Sequence, residues 1–191
     1  ENGIQLGLRF KDSPSIYFIP QIPNEGEYYR WWHLSKQYAF EKLIRQSMVN
    51  GDVDANRLYV FGISEGGYGS QRLASFYADY WAAAGPMAGG EPLKNAPVEN
   101  CANIGFSFLT GADDTGFYRN DLTWYTQVAF DSVQLARPLA VDNTPLFRHR
   151  INLLPGMQHA INYGLTTPWL KQFVRNPDNK TVLWEDVERD C

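Results

Sequence analysis

The chain has 191 residues, 44% of them hydrophobic and 20% charged, the balance of a globular protein with room for a substantial core. A net charge of −4 gives no electrostatic reason to expect DNA, RNA or an anionic membrane as partner. No apolar run approaches the ~20 residues of a membrane span, and three histidines with two cysteines cannot supply a Cys₄ or Cys₂His₂ zinc site.

In chain order, Ser15-Ile16-Tyr17-Phe18-Ile19-Pro20 predicts a short buried strand ended by proline. A helix is predicted over residues 28–49, with Phe40, Leu43, Ile44 and Met48 on one apolar stripe. Gly51 supplies the left-handed residue that ends it. At its start, Tyr28-Tyr29-Arg30-Trp31-Trp32 invites assignment as a stacking surface for substrate, but a helix laying aromatic rings on the sheet explains it more cheaply. A strand over residues 57–61 and a helix over 65–79 follow, then a small-residue strand over 81–84 and a Gly- and Pro-rich loop over 85–101. Residues 104–110 form a further strand, 118–133 a helix and 147–154 a last strand, before a final helix capped by Thr167 with Pro168 in its first turn. Strands separated by helices indicate an α/β fold with a mostly parallel sheet covered on both faces. Catalytic groups of such sheets collect on loops beyond the carboxyl ends of the strands.

The most informative stretch is Gly62-Ile63-Ser64-Glu65-Gly66, a G-x-S-x-G motif between a predicted strand and a predicted helix. In that setting the serine is forced onto a strained turn with its hydroxyl exposed above the sheet. Side chains in place of Gly62 or Gly66 are expected to collide with the neighbouring strand or helix. A serine hydroxyl holds its proton at neutral pH, so it needs a general base, and the base needs a partner that fixes its tautomer. His159 lies just past the strand ending at Leu154, and Asp113 and Asp114 lie just past the strand ending near Thr110. The order Ser, Asp, His is that of the α/β-hydrolases. His149, inside a strand, is read as structural, and His33, on the aromatic helix, has no line to the elbow.

On four segments the chain resembles the α/β-hydrolase serine esterases, of the polyhydroxybutyrate-depolymerase-like or prolyl-oligopeptidase-like kind. They are the elbow over residues 53–67, residues 82–89 after it, Gly111-Ala112-Asp113-Asp114, and Gly156-Met157-Gln158-His159. The resemblance selects Asp114, the aspartate of G-x-x-D, as the acid. It implies Ser64 as nucleophile, His159 as acid and base, and the backbone N–H of Glu65 as an oxyanion donor, without metal or cofactor. The Glu65 side chain is either solvated or lines the pocket.

The resemblance covers roughly the last two-thirds of the family's fold. It implies that residues 15–20 are its fourth strand, that strands one to three and the second oxyanion donor lie upstream of Glu1, and that the nucleophile strand is left with an open edge. Residues 1–178 are then a partial catalytic domain, not independently functional. Residues 179–191 are an extension whose Lys180-Thr181-Val182-Leu183-Trp184 begins another strand. The loop over residues 85–101 is too short for a helical lid, which favours a bulky or polymeric ester as substrate. A serine peptidase and a non-catalytic hydrolase-fold binding module stay open as alternatives, as do pairing or separateness of Cys101 and Cys191 and the oligomeric state. An extracytoplasmic location is implied by the resemblance alone.

Overall fold

The computed structural model describes residues 15–20, 30–51 and 53–187. Four strands, β1 (Tyr59–Ile63), β2 (Ala83–Met87), β3 (Gly105–Gly111) and β4 (His149–Leu154), form one sheet in that order, with every neighbouring pair parallel. The helices are α1 (Leu34–Asn50), α2 (Glu65–Phe76), α3 (Arg119–Ala136) and the short α4 (Thr166–Leu170). Parallel strands need crossover connections, and α2 and α3 supply two of them.

The strands sort their side chains by parity, as a pleated sheet with both faces covered requires. Val60, Ala84, Phe106, Phe108 and Ile151 point to one face and pack with Ile44 of α1, Ala74 of α2 and Phe130 of α3. Tyr59 and Ala83 point to the other, where Leu170 of α4 and Phe173 close over them. Phe106, Phe108 and Phe130 are fully buried, each contributing about 1.5–3 kcal/mol by leaving water. Phe106 and Phe130 stack with centroids 4.6 Å apart.

Several expectations shift against this frame. Residues 15–20 form no strand; Ile16 is 73% exposed and Phe18 61%. Extended backbone is stabilised by a ladder partner, and β1, at the edge of the sheet, pairs only with β2 among the described strands. The helix predicted from residue 28 begins at Leu34, with His33 at its N-cap position. Tyr28 and Tyr29 lie outside the described residues, as does Cys191, the second member of the candidate disulfide. Gly51 closes α1 at φ 73°, as expected.

The small-residue strand runs past Ala84 through Gly85 and Pro86 to Met87. Proline has no N–H to give a ladder, and the register between β2 and β3 passes from Ala84↔Phe106 to Met87↔Leu109, skipping Gly85 and Pro86. Thr167 is not the cap of the last helix: α4 starts at Thr166, with Leu165 at the N-cap position and Thr167 buried inside it.

Residues 180–184 form no strand either. Side chains, in place of a sheet edge, hold this stretch: Asn103 Nδ2 donates to the Thr181 carbonyl at 2.8 Å, and Asn100 Oδ1 accepts from the Glu185 N–H at 2.7 Å. Leu183 packs on the main core.

Candidate active site

The register aligns the carboxyl ends of the strands, so the loops that leave them share one rim. Ser64 follows β1 directly and occupies the N-cap position of α2 at φ 54°, ψ −115°. A non-glycine residue with positive φ is strained by about 1–3 kcal/mol and persists only where its surroundings over-determine it. Here they do. The Ser64 N–H donates to the Met87 carbonyl at 3.0 Å, while its own carbonyl accepts from the N–H groups of Gly67 (2.8 Å) and Tyr68 (3.1 Å).

The elbow glycines divide differently from expectation. A Cβ on Gly62 would lie 2.8 Å from the Gly66 Cα and closer still to its carbonyl. Among the described residues, nothing outside its own helix stands within 4 Å of such a Cβ on Gly66. The second crowded position is Gly67, whose Cβ would run into the Met87 carbonyl and lie 3.2 Å from the Gly89 Cα. Among the described residues no collision demands the motif's trailing glycine, whereas the residue after it is hemmed in by backbone.

The acid and base loops are joined by main chain. Ala112 N–H donates to the Leu154 carbonyl and Asp113 N–H to that of Met157, both at 2.9 Å. Gly111 makes the crossing close: a Cβ there would lie 2.6 Å from the Met157 carbonyl carbon. This stitching turns Asp113 out to solvent and buries Asp114, which is 4% exposed.

His159 meets both expected partners. Its Nε2 lies 3.0 Å from Ser64 Oγ and its Nδ1 lies 2.7 Å from Asp114 Oδ2. An ionised carboxylate only accepts, so the satisfied arrangement has Nδ1–H donating to Asp114 and the Ser64 hydroxyl donating to Nε2. Tyr163 Oη donates to the His159 carbonyl at 3.1 Å and steadies this loop. Glu65 opens α2 beside the serine, where first-turn N–H groups have no acceptor within the helix. Its side chain pairs with Arg30.

The aromatic cluster packs elsewhere than expected. Arg30 and Trp31 lie ahead of α1, and Trp31 fits against Gly69 of α2 where a side chain would otherwise stand. Trp32 faces the Arg72 guanidinium of the same helix, 4.3 Å from its ring centroid. These residues brace the elbow helix and leave the sheet to others.

His149 is structural as read, with Nδ1 2.7 Å from the Phe147 carbonyl and Nε2 3.0 Å from Asp131. Two neighbours of the site gave no signal in the sequence: Arg119, whose guanidinium donates to Asp114 Oδ1 at 2.7 Å, and Tyr163. Burial raises the Tyr68 hydroxyl above its ordinary value, with the nearby Arg119 charge pulling it the other way. Among the described residues no three His, Cys, Asp or Glu side chains gather in a way that could hold a metal ion, and no helix is long and apolar enough to cross a membrane.

Comparison of structures finds crystal structures that share this arrangement of strands and helices. A thermostable esterase superposes with a TM-score of 0.53 at 23% sequence identity, over 73% of this chain and 37% of that one. A Bacillus cereus carboxylesterase superposes with a TM-score of 0.54 at 12% identity, over 79% of this chain and 71% of that one. The chain has the α/β-hydrolase fold. It spans little more than a third of the thermostable esterase's length. Comparison by sequence finds no matching family model and no matching curated protein.

Proposed function

We propose that this protein is a serine esterase that cleaves carboxylic esters through an acyl-enzyme on Ser64. The observation that carries the reading is the bridging imidazole of His159, 3.0 Å from Ser64 Oγ on one side and 2.7 Å from Asp114 on the other. His159 Nε2 takes the Ser64 proton as Oγ bonds to the ester carbonyl carbon. The carbonyl oxygen gains the electron pair and becomes an oxyanion. Asp114, buried on the far side of the ring, holds the tautomer that leaves Nε2 free to accept. The N–H of Glu65 donates to the oxyanion, a contact of a kind worth about 3–4 kcal/mol of barrier.

Collapse of the intermediate breaks the bond to the alcohol, whose oxygen recovers the proton from the imidazolium. Water then repeats the sequence on the acyl-enzyme: His159 takes its proton, and Ser64 leaves protonated with the acid released. The chemistry of the triad serves esters and amides alike. Ester cleavage is favoured because two of the structures that superpose on this chain are an esterase and a carboxylesterase. The His159 side chain is 43% exposed, so the described surface leaves the reacting groups open to a bulky ester.

The test is labelling of the full-length protein with a fluorophosphonate, with the modified peptide located by mass spectrometry, alongside hydrolysis of p-nitrophenyl acyl esters and peptide p-nitroanilides. The expected result is modification at Ser64, lost in Ser64→Ala, with turnover of the esters. An unmodified Ser64, or turnover of anilides alone, would overturn the proposal.

A further inference from the structure

Asp114 is gripped from two sides. His159 Nδ1 takes one carboxylate oxygen, Oδ2, and Arg119 Nη1 donates to the other, Oδ1, each at 2.7 Å. Both the carboxylate and the guanidinium are largely withdrawn from solvent, their side chains 4% and 11% exposed.

The loop between them is shaped so that Arg119 can return. Phe117 and Tyr118 follow one another in the left-handed region at φ 55° and 57°, which bulky residues seldom adopt. Gly116 has no side chain where a Cβ would lie 2.8 Å from Arg119 Nη1, and the Phe117 ring faces the guanidinium with its centroid 5.1 Å away. The Asn120 N–H then donates to the Asp114 carbonyl at 3.1 Å, closing the circuit at the main chain. Two strained residues in succession carry one arginine back onto one carboxylate.

Resting on the esterase reading above, we propose that Arg119 is a positioning residue for the reaction. It acts through Asp114 alone, fixing the plane of the carboxylate so that Oδ2 stays aimed at the imidazole. A carboxylate with one oxygen unheld can rotate about its last bond and abandon His159 for a nearer donor. With Oδ1 anchored by a charge-assisted bond, that rotation requires breaking a buried ion pair. Among the described residues, the groups that face this pair are His159 from the loop after β4 and the Tyr68 hydroxyl from α2, which also feels the charge of Glu91, itself paired with Arg72.

The experiment is a double-mutant cycle on the full-length protein: Arg119→Met, Asp114→Asn and both together. The readouts are kcat and KM on p-nitrophenyl acetate and the rate of fluorophosphonate labelling at Ser64. Arg119→Met is expected to lower kcat and the labelling rate together by about 30- to 100-fold, with KM within about twofold, as misplacement of a reacting group does. Added to Asp114→Asn, the same change should cost less than about threefold, because its only route to the chemistry is gone. If Arg119→Met does not fold, Arg119→Lys carries the test, with an expected fall in kcat of about fivefold that likewise vanishes in the Asp114→Asn background.

An equal loss with and without the Asp114 carboxylate would overturn the proposal, as would a loss confined to KM or an unchanged labelling rate in Arg119→Met. Wild-type protein that leaves Ser64 unlabelled sinks the esterase reading itself. Normal wild-type labelling with an indifferent Arg119 sinks only the positioning role.

Discussion

Gly111 offers the sharpest test of how the sheet delivers the site, because it acts on the imidazole without touching it. In Gly111→Ala the new methyl would lie 2.6 Å from the Met157 carbonyl carbon and closer still to the carbonyl oxygens of Met157 and Gln158. Real Cβ atoms essentially never come within 3.0 Å of such neighbours, and ordinary contact begins near 3.4 Å. The closest of these, the Gln158 carbonyl oxygen at 2.1 Å, must therefore retreat by roughly 0.9–1.3 Å, and all the atoms met are backbone. His159 stands directly after Gln158, so the displacement reaches its ring, and a shift of about 1 Å costs on the order of 100-fold in rate. Overpacking of this kind also costs about 1–3 kcal/mol of stability. The assay is p-nitrophenyl acetate hydrolysis well below the variant's measured Tm. Loss of kcat in protein that is still folded is the expected result. A folded Gly111→Ala enzyme with kcat within threefold of wild type would refute the claim that the crossing of these two loops sets the position of His159.

The elbow glycines separate in stability rather than in rate. Gly66→Ala, a helical position whose Cβ meets nothing within 4 Å among the described residues, should unfold at the wild-type temperature or above it, by about 0.5–1 kcal/mol of added stability. Gly62→Ala, against the Gly66 backbone, should lose several degrees of Tm or fail to fold. Equal Tm for the two variants in differential scanning calorimetry would contradict the packing described. Burial pushes the Cys101 thiol well above its ordinary value. An acid whose pKa is raised in the folded state keeps its proton there while the unfolded chain loses it, so stability is full below about pH 8.5 and declines as pH rises past it. In a Cys191→Ser background, maleimide should reach Cys101 only when the chain unfolds, and chemical denaturation midpoints should fall between pH 8 and 10. Rapid labelling of the native protein at pH 8 would contradict that burial.

What the sequence discloses is set by how local each cause is. Ser64, Asp114 and His159 are legible because each needs only a strand end and a short loop to reach the rim, and strand ends are marked by glycine, proline and the end of an apolar run. Asp114 over Asp113 is legible from the family's G-x-x-D alone. The physical reason, the main-chain bond from Asp113 to the Met157 carbonyl, joins loops far apart in the chain. Arg119 is invisible for the same reason: nothing in the sequence says that the first residue of a helix turns back through two left-handed residues. Residues 15–20 and 180–184 have strand-like composition, yet a strand is a relation between two segments, and composition reports only one of them. Aromatic mass suggests core, so the sequence points the Tyr28-to-Trp32 cluster at the sheet, whereas Trp31 and Trp32 pack on Gly69 and Arg72 of α2.

The shared rungs between the loops after β3 and β4 have a mechanical consequence. Histidine and aspartate ride on one stiff plate, so heating or distant substitution cannot easily change the 2.7 Å between them. The serine is mounted on a different strand, two places across the sheet. Any slack in the assembly therefore gathers at the single gap between hydroxyl and imidazole, and lost alignment shows there first.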